Sequence, residues 1–488
     1  MVRVSCIWIE RLTVNKNGHA GAEFGSTRGI EMRDGRQFIG GVRTMMTMVA
    51  MFICATSGTA AGPVEYETEP LYSGFPGSND DFGYSLAVNG SFIAIGARFD
   101  DIDGADSGAV YVYNRLGRNF LYAPFAADVG PDDLLGFSVA IDNWLLYATA
   151  PSDDVDGVVD AGSVYVFDLL NNGRFHQRLN APTLSTFGNY GWDVSAGNGL
   201  ILVGSPSTVV DGVSAGVAHA YSSTTFNYLT TLMPTDGTPS GFFGGDSAIN
   251  ADYVVVSSSR NDIGTGIGES GSVYVYDFVS GNLLHKLTPD DPQTGSQFGN
   301  SVAVQGDLIA VGAPFTGDRG LNSGSVYLFD AISGNQITKI IADDTDELDW
   351  FGRSIAIDSD ILVIGAHNKV LPGGGKGSVY IFDINTFNMI DRVDIPVANG
   401  NTDRFGYEVA AGEGDILTSN FNHVVNGIET GAAYLIDAIC RADINDDGSL
   451  DFFDVSELLN NQPDYNGDGV FNFFDVSAFI NDFNMGCP

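Results

Sequence analysis

A glycine preceded by an aromatic or leucine side chain, and followed by two short apolar runs, returns at a near-constant interval through most of the chain. The copies are Phe82-Gly83, Leu135-Gly136, Tyr190-Gly191, Phe243-Gly244, Phe298-Gly299, Phe351-Gly352 and Phe405-Gly406, spaced by 53, 55, 53, 55, 53 and 54 residues. A second landmark, Gly-Ser-Val-Tyr-Val-Phe-Asp or a variant, begins at Gly108, Gly162, Gly216, Gly271, Gly324, Gly377 and Gly431. Two landmarks that keep one period define a true repeat, so the chain must build an array of one supersecondary unit.

The fifth copy shows what that unit is. Ser301 to Val304 and Leu308 to Ala313 are short β-rich runs separated by the turn Gln305-Gly306-Asp307. Ser325 to Phe329 alternates on a period of two, and Ser333-Gly334-Asn335 turns the chain into Gln336 to Ile341. Four short antiparallel strands in one repeat make a propeller blade. The seventh copy has a third strand at Ala432 to Ile436 and no fourth run before Cys440, whereas a spare strand, Val64 to Leu71, precedes the first copy. The sequence thus predicts an all-β, seven-bladed β-propeller over residues 62–438, closed by its N-terminal strand, which removes an open sheet edge.

Phe-Gly, then Gly312-Ala313-Pro314, then Gly324-Ser325-Val326-Tyr327 resembles the FG-GAP repeat of bacterial surface proteins and of the integrin alpha-chain propeller, over residues 64–438. The third element varies between copies, as in Gly204-Ser205-Pro206, Gly365-Ala366-His367 and Ser257-Ser258-Ser259. Integrin-type copies carry a calcium loop just before the Gly-Ala-Pro strand. Here that place is a short turn, so this calcium site is not carried over.

Asp and Glu number 61 against 22 Lys and Arg, a formal net charge of −39. Such a chain lacks the basic face that phosphate backbones require, and nucleic acid is excluded as a partner. Arg33, Arg36 and Arg43 precede an apolar run, Met45 to Ala55, and the small residues Ser57 to Ala61. This is the pattern of a secretory signal, with Thr59 and Ala61 at −3 and −1. Residues 1–61 are therefore expected to be an upstream segment and signal peptide, with Met32 as the start. The apolar run is too short to span a bilayer. The mature protein is expected to be secreted or at the cell surface, with no transmembrane segment. Of four cysteines only Cys440 and Cys487 follow the cleavage site, and in an exported protein they are expected to form one disulfide.

Two sets of carboxylates are candidate metal ligands. In the loops after Gly-Ala-Pro, Asp100, Asp101, Asp103 and Asp106 form one cluster, and Asp153, Asp154, Asp156 and Asp160 another. The copies share no single ligand pattern, so a solvated polar loop is the plainer reading, with weak cation binding as the alternative. In the tail, Asp443, Asn445, Asp447, Ser449, Asp451 and Asp454 fill positions 1, 3, 5, 7, 9 and 12 of a calcium loop, with Gly448 at 6. Asp464, Asn466, Asp468, Val470, Asn472 and Asp475 repeat it 21 residues on, and each loop runs into Phe-Phe-Asp-Val-Ser. Val455, Leu458 and Leu459, then Val476, Phe479 and Ile480, have helical spacing. Residues 440–488 are thus expected to be a small α-helical, EF-hand-like module that needs Ca2+ to fold. The tail resembles a dockerin, in particular the compact form ending in Gly-Cys at the C-terminus of exported planctomycete proteins. The resemblance implies an anchoring module with a cohesin-like or other surface partner.

No catalytic motif emerges. Gly245-Asp246-Ser247-Ala248 is similar to an esterase nucleophile string, but it occupies a place where other copies read Gly-Asn-Ser-Val or Gly-Arg-Ser-Ile, so the repeat accounts for it. His176, His219, His285, His367 and His423 stand singly. The expected function is non-catalytic binding or adhesion of a protein or glycan ligand by propeller loops. The alternative is an extracellular carbohydrate-active hydrolase or lyase. That alternative requires Trp144, Trp192 and Trp350 to converge with carboxylates on one face.

Overall fold

The computed structural model describes residues 8–14, 20–25, 65–210, 212–234, 240–263, 267–372, 375–395, 403–425 and 427–439. The chain divides into Tyr66–Asp437 and a second unit made of its two ends, Met1–Glu65 and Ala438–Pro488. In the second unit Trp8–Val14 pairs antiparallel with Ala20–Gly25, a hairpin that the repeat pattern does not announce. The signal segment, Cys440, Cys487 and both tail calcium loops lie outside the described residues.

Tyr66–Asp437 is built from seven four-stranded antiparallel sheets. Blade 5 is typical: Ser301–Gln305, Leu308–Ala313, Ser325–Asp330 and Gln336–Ile340 pair in chain order. The first strands of consecutive blades touch one another around a complete ring, blade 7 against blade 1 included, so they line the axis. Blade 7 takes its outermost strand from the start of the chain: Glu65–Leu71 lies beside Ala432–Ile439, followed by Asp415–Asn420 and Val409–Gly412. The expected closure is what the sheet order records. No α-helix occurs among the described residues, and none there is long and apolar enough to cross a membrane.

The period-two pattern of the third strand works because a blade is covered on both faces. In blade 5, Tyr327 and Phe329 pack with Val273 and Val275 of blade 4, while Val326 and Leu328 pack with Ile355 and Leu362 of blade 6. Seven such apolar clusters fill the seven gaps between neighbouring blades. The repeat landmarks mark the joints. Phe298 is fully buried and meets the Tyr327 ring edge-on at 5.4 Å. A Cβ on Gly324 would stand 2.1 Å from the carbonyl oxygen of Phe351 in the next blade, and one on Gly312 would stand 2.1 Å from that of Gly352. The glycines of Gly-Ala-Pro and Gly-Ser-Val-Tyr are therefore contact points where adjacent backbones come together.

Candidate functional site

The first strand of every blade starts at one end of the axis, and the second strand ends there. The Phe-Gly turns, the loops after Gly-Ala-Pro and the links between blades consequently share one face. The two-residue turns between first and second strands lie on the other. Just below the loop face the channel opens into a cavity of about 280 Å³. Its walls come from all seven blades at two equivalent positions. The residue after Phe-Gly supplies Tyr84, Phe137, Trp192, Gly245, Asn300, Arg353 and Tyr407, and the next supplies Ser85, Ser138, Asp193, Asp246, Ser301, Ser354 and Glu408.

Serine is the structural choice at the second position. Ser85 Oγ donates to the Gly136 carbonyl at 2.8 Å and Ser301 Oγ to that of Gly352 at 3.0 Å, while Ser138 and Ser354 accept from the Val194 and Val409 N–H groups of the blades that follow them. Blades 3, 4 and 7 instead carry Asp193, Asp246 and Glu408. A carboxylate accepts, as Ser138 and Ser354 do, where Ser85 and Ser301 donate. Asp246 accepts from the Val302 backbone N–H through Oδ2 at 2.6 Å, and Asp193 accepts from Ser247 Oγ at 2.5 Å.

These carboxylates touch the lumen, yet protein surrounds them on every side. Burial raises Glu408 to about 8, and the charge of Asp246 adds to the effect while Arg353 opposes it. Asp193 is pushed well up by burial and next by the charge of Asp246; Asp246 is raised by burial and lowered in part by two backbone N–H donors and by Arg353. Arg353 donates to the Tyr407 hydroxyl at 3.3 Å and stands 4.9 Å from the centre of its ring. The Arg353 charge thus bears on Asp246 and Glu408, and Asn300 adds a buried Oδ1 without a hydrogen-bond donor.

Above this floor runs a collar of aromatic rings. Phe242 meets Trp192 at 5.3 Å, Trp192 meets Phe137 at 4.8 Å, and Phe137 meets Tyr84 at 5.2 Å. Tyr84 continues to Tyr407 at 5.5 Å, Tyr407 to His367 at 5.2 Å, His367 to Trp350 at 5.1 Å and Trp350 to Phe315 at 5.4 Å. The chain of rings visits every blade and is open only between blades 4 and 5, beside Asn300. Guanidinium groups sit on several of these rings: Arg98 at 3.8 Å from the centre of Tyr84 and Arg260 at 4.5 Å from that of Phe242. Trp350 Nε1 and His367 Nδ1 are buried without a partner.

The tryptophans separate into two groups. Trp192 and Trp350 belong to the collar, whereas Trp144, exposed, lies in the turn between the first two strands of blade 2, on the opposite face. The acidic loops are organised by their own carboxylates. Asp100 accepts from the Tyr111 hydroxyl and the Ile102 N–H, and Asp153 from the Tyr165 hydroxyl. Asp101 takes the Asp106 N–H at 2.8 Å, and Asp154 the Asp160 N–H at 2.9 Å. The same two bonds in both blades make this a repeated loop device. Asp103 and Asp156 add carboxylates to these loops, and among the described residues no group of three or more His, Cys, Asp or Glu side chains is arranged to hold a metal ion. The channel residues Tyr84, Phe137, Asp193, Asn300, Arg353, Tyr407 and Glu408 were not singled out from the sequence. Their signal was present: they vary at two positions where the rest of the repeat is kept.

Comparison with known families agrees with this architecture. The FG-GAP repeat matches residues 76–113, 227–276, 282–329 and 335–382. Each of the last three segments opens on or just before the fourth strand of one blade and ends in the third strand of the next, so sequence repeat and blade are out of phase by one strand. No curated protein matches the chain. The class is therefore a seven-bladed β-propeller carrying FG-GAP repeats, a scaffold of the binding and adhesion type.

Proposed function

We propose that the protein is a non-catalytic binding or adhesion protein, exported to the extracellular space or the cell surface, which meets a protein or glycan ligand with its loop face and is held in place by its tail. The observation that carries this reading is the collar, an unbroken line of rings from successive blades over a floor that departs from the repeat. Exposed apolar side chains on the surrounding loops, Ile102, Val159, Phe187, Leu321, Leu348 and Val370, extend the surface outward. The test is binding of the full mature chain to protein and glycan arrays. Retention that Leu348→Glu or Phe187→Glu weakens at least tenfold is expected; retention indifferent to both variants, or none at all, rejects the reading.

The tail loops at 443–454 and 464–475 present only oxygen donors, which suit a hard cation, and we assign them Ca2+. Neutralising their carboxylates would couple binding to folding of the 440–488 module, braced by a Cys440–Cys487 disulfide and docked on a cohesin-like or other anchoring partner. Chelation is expected to abolish a calcium-dependent calorimetric transition and leave that of the propeller in place. Identical traces with and without chelator count against the assignment.

Glu408 favours a second reading, an extracellular hydrolase or lyase acting on carbohydrate, although the three indoles do not converge: Trp144 lies on the opposite face and only Trp192 and Trp350 share one with the carboxylates. A carboxylic acid that keeps its proton near neutral pH is what general acid catalysis uses. Turnover of chromogenic glycosides that disappears in Glu408→Gln would support it; no turnover in the unaltered protein would dismiss it.

A further inference from the structure

The channel has chemistry that selects among ligands, and what it selects rests on the binding role just proposed. Its floor is rich in acceptors, with three carboxylates, the Asn300 Oδ1 that has no donor, and a single guanidinium from Arg353. Its wall is half-exposed aromatic surface, Trp192 and Tyr84 among it. The space, about 280 Å³, is at the lower end of small-molecule pockets and suits one ring-sized group. Anions are disfavoured, because three carboxylates face one cation. Organic cations find several aromatic faces already occupied, by Arg98 on Tyr84, Arg260 on Phe242 and Arg353 on Tyr407. A purely apolar group would leave Asn300 Oδ1 and the carboxyl oxygens that face the lumen without a donor.

We propose that the axial cavity binds one neutral pyranose unit, the terminal sugar of a glycan. The sugar's apolar face stacks on Trp192, which Phe137 backs at 4.8 Å. Its hydroxyls donate to Asp193, Asp246, Glu408 and Asn300 and accept from Arg353. A hydroxyl can donate or accept, so it satisfies a carboxyl group in either protonation state, which neither a cation nor an anion does. The replacement of serine in blades 3, 4 and 7 then has a purpose: it brings carboxyl oxygens to the lumen where serine offers one hydroxyl, while Asp193 and Asp246 keep a bond to the next blade.

The test is saturation-transfer NMR on the full mature chain with the methyl glycosides of glucose, galactose, mannose and N-acetylglucosamine, and with 1,5-diaminopentane as the cationic probe. At least one glycoside is expected to bind at millimolar concentration. Trp192→Leu should weaken it at least tenfold, Asp246→Asn should weaken it while the fold is retained by circular dichroism, and Trp144→Ala on the opposite face should leave it unchanged. Absence of glycoside binding to the unaltered protein, binding of the diamine alone, or glycoside binding that survives both channel variants would each overturn the proposal. Array binding that depends on Phe187 and Leu348 with no glycoside in the channel would overturn the sugar site and leave the adhesion reading standing.

Discussion

At the scale of single residues, the chain separates positions that hold blades together from positions that are free to change. Gly324 belongs to the first kind. Its φ is +88°, and any Cβ there runs into the Phe351 carbonyl of blade 6. Both terms are backbone terms, so no rotamer change relieves them. Gly324→Ala is expected to lose at least about 3 kcal/mol of stability by denaturant titration; a loss under about 1 kcal/mol would show that the joint relaxes. The repeat made such residues legible, because a contact needed seven times leaves seven copies of its glycine. The channel was less legible for the opposite reason. Asp246 was visible only as part of a string that the repeat explained away, and Glu408 and Asp193 only as exceptions to a serine. A ligand contact is made once, by a residue unlike its counterparts, and periodicity discards what occurs once. The position after Phe-Gly, compared between copies for its differences, is where Tyr84, Phe137, Trp192, Arg353 and Tyr407 stand out in the sequence itself.

At the scale of elements, the strand Glu65–Leu71 decides whether the array is a ring. It was legible because the last copy lacked a fourth strand and the first had one to spare. What the sequence left hidden is how the seam is laced. Arg118, in the turn between the third and fourth strands of blade 1, pairs with Glu69 on the closing strand and with Asp437. Arg115 pairs with Asp415 of blade 7 at 2.9 Å, and the Tyr113 hydroxyl donates to the Tyr72 carbonyl at 2.5 Å. Two of only 22 basic residues thus stand at one joint. Partly exposed ion pairs contribute about 0–1 kcal/mol each, so the strand, not the arginines, must carry the closure. Arg118→Ala is expected to lower Tm by no more than a few degrees. Removing residues up to Leu71 exposes the edge of Ala432–Ile439 and uncovers Tyr113 and Phe82, and it should broaden and lower the melting transition by about 10 °C or more. An unaltered melting curve for the truncated chain would show that the ring does not depend on its latch.

At the scale of the whole molecule, the excess of carboxylates makes stability a function of pH, and the sign can be worked out. Burial raises Glu408 to about 8, and it raises Asp80 and Asp133, each capped by a backbone N–H in the link before a blade, to about 6. Asp193 and Asp246 are raised as well. Between the unfolded and folded values of such a group, the native protein holds a proton that the unfolded chain has released, so stability falls as pH rises through that window. Three buried histidines work in the other direction. His219 is lowered to about 4, and His367 and His423 are lowered too, each by burial first. They stay neutral in the fold while the unfolded chain takes up protons below pH ~6.5, so their contribution is lost on acidification. The two sets act in different ranges. From pH 8.5 to 7.5 the histidines are almost wholly neutral in both states and the channel carboxylates dominate the response. Acidification across that interval should raise the Tm of the propeller by a degree or two, the effect that about 1 kcal/mol has on a domain of this size. Below pH 7.5 the histidines increasingly oppose the carboxylates and the curve should flatten. Glu408→Gln removes the group whose folded value lies inside the first interval, and it should reduce the slope there while leaving the region below pH 6 as it was. Calorimetry at half-unit steps of pH and fixed ionic strength reads both features. A Tm that falls from pH 8.5 to 7.5, or a slope that the Gln variant leaves intact, would mean that the floor of the channel is ionised and solvated like the surface outside it.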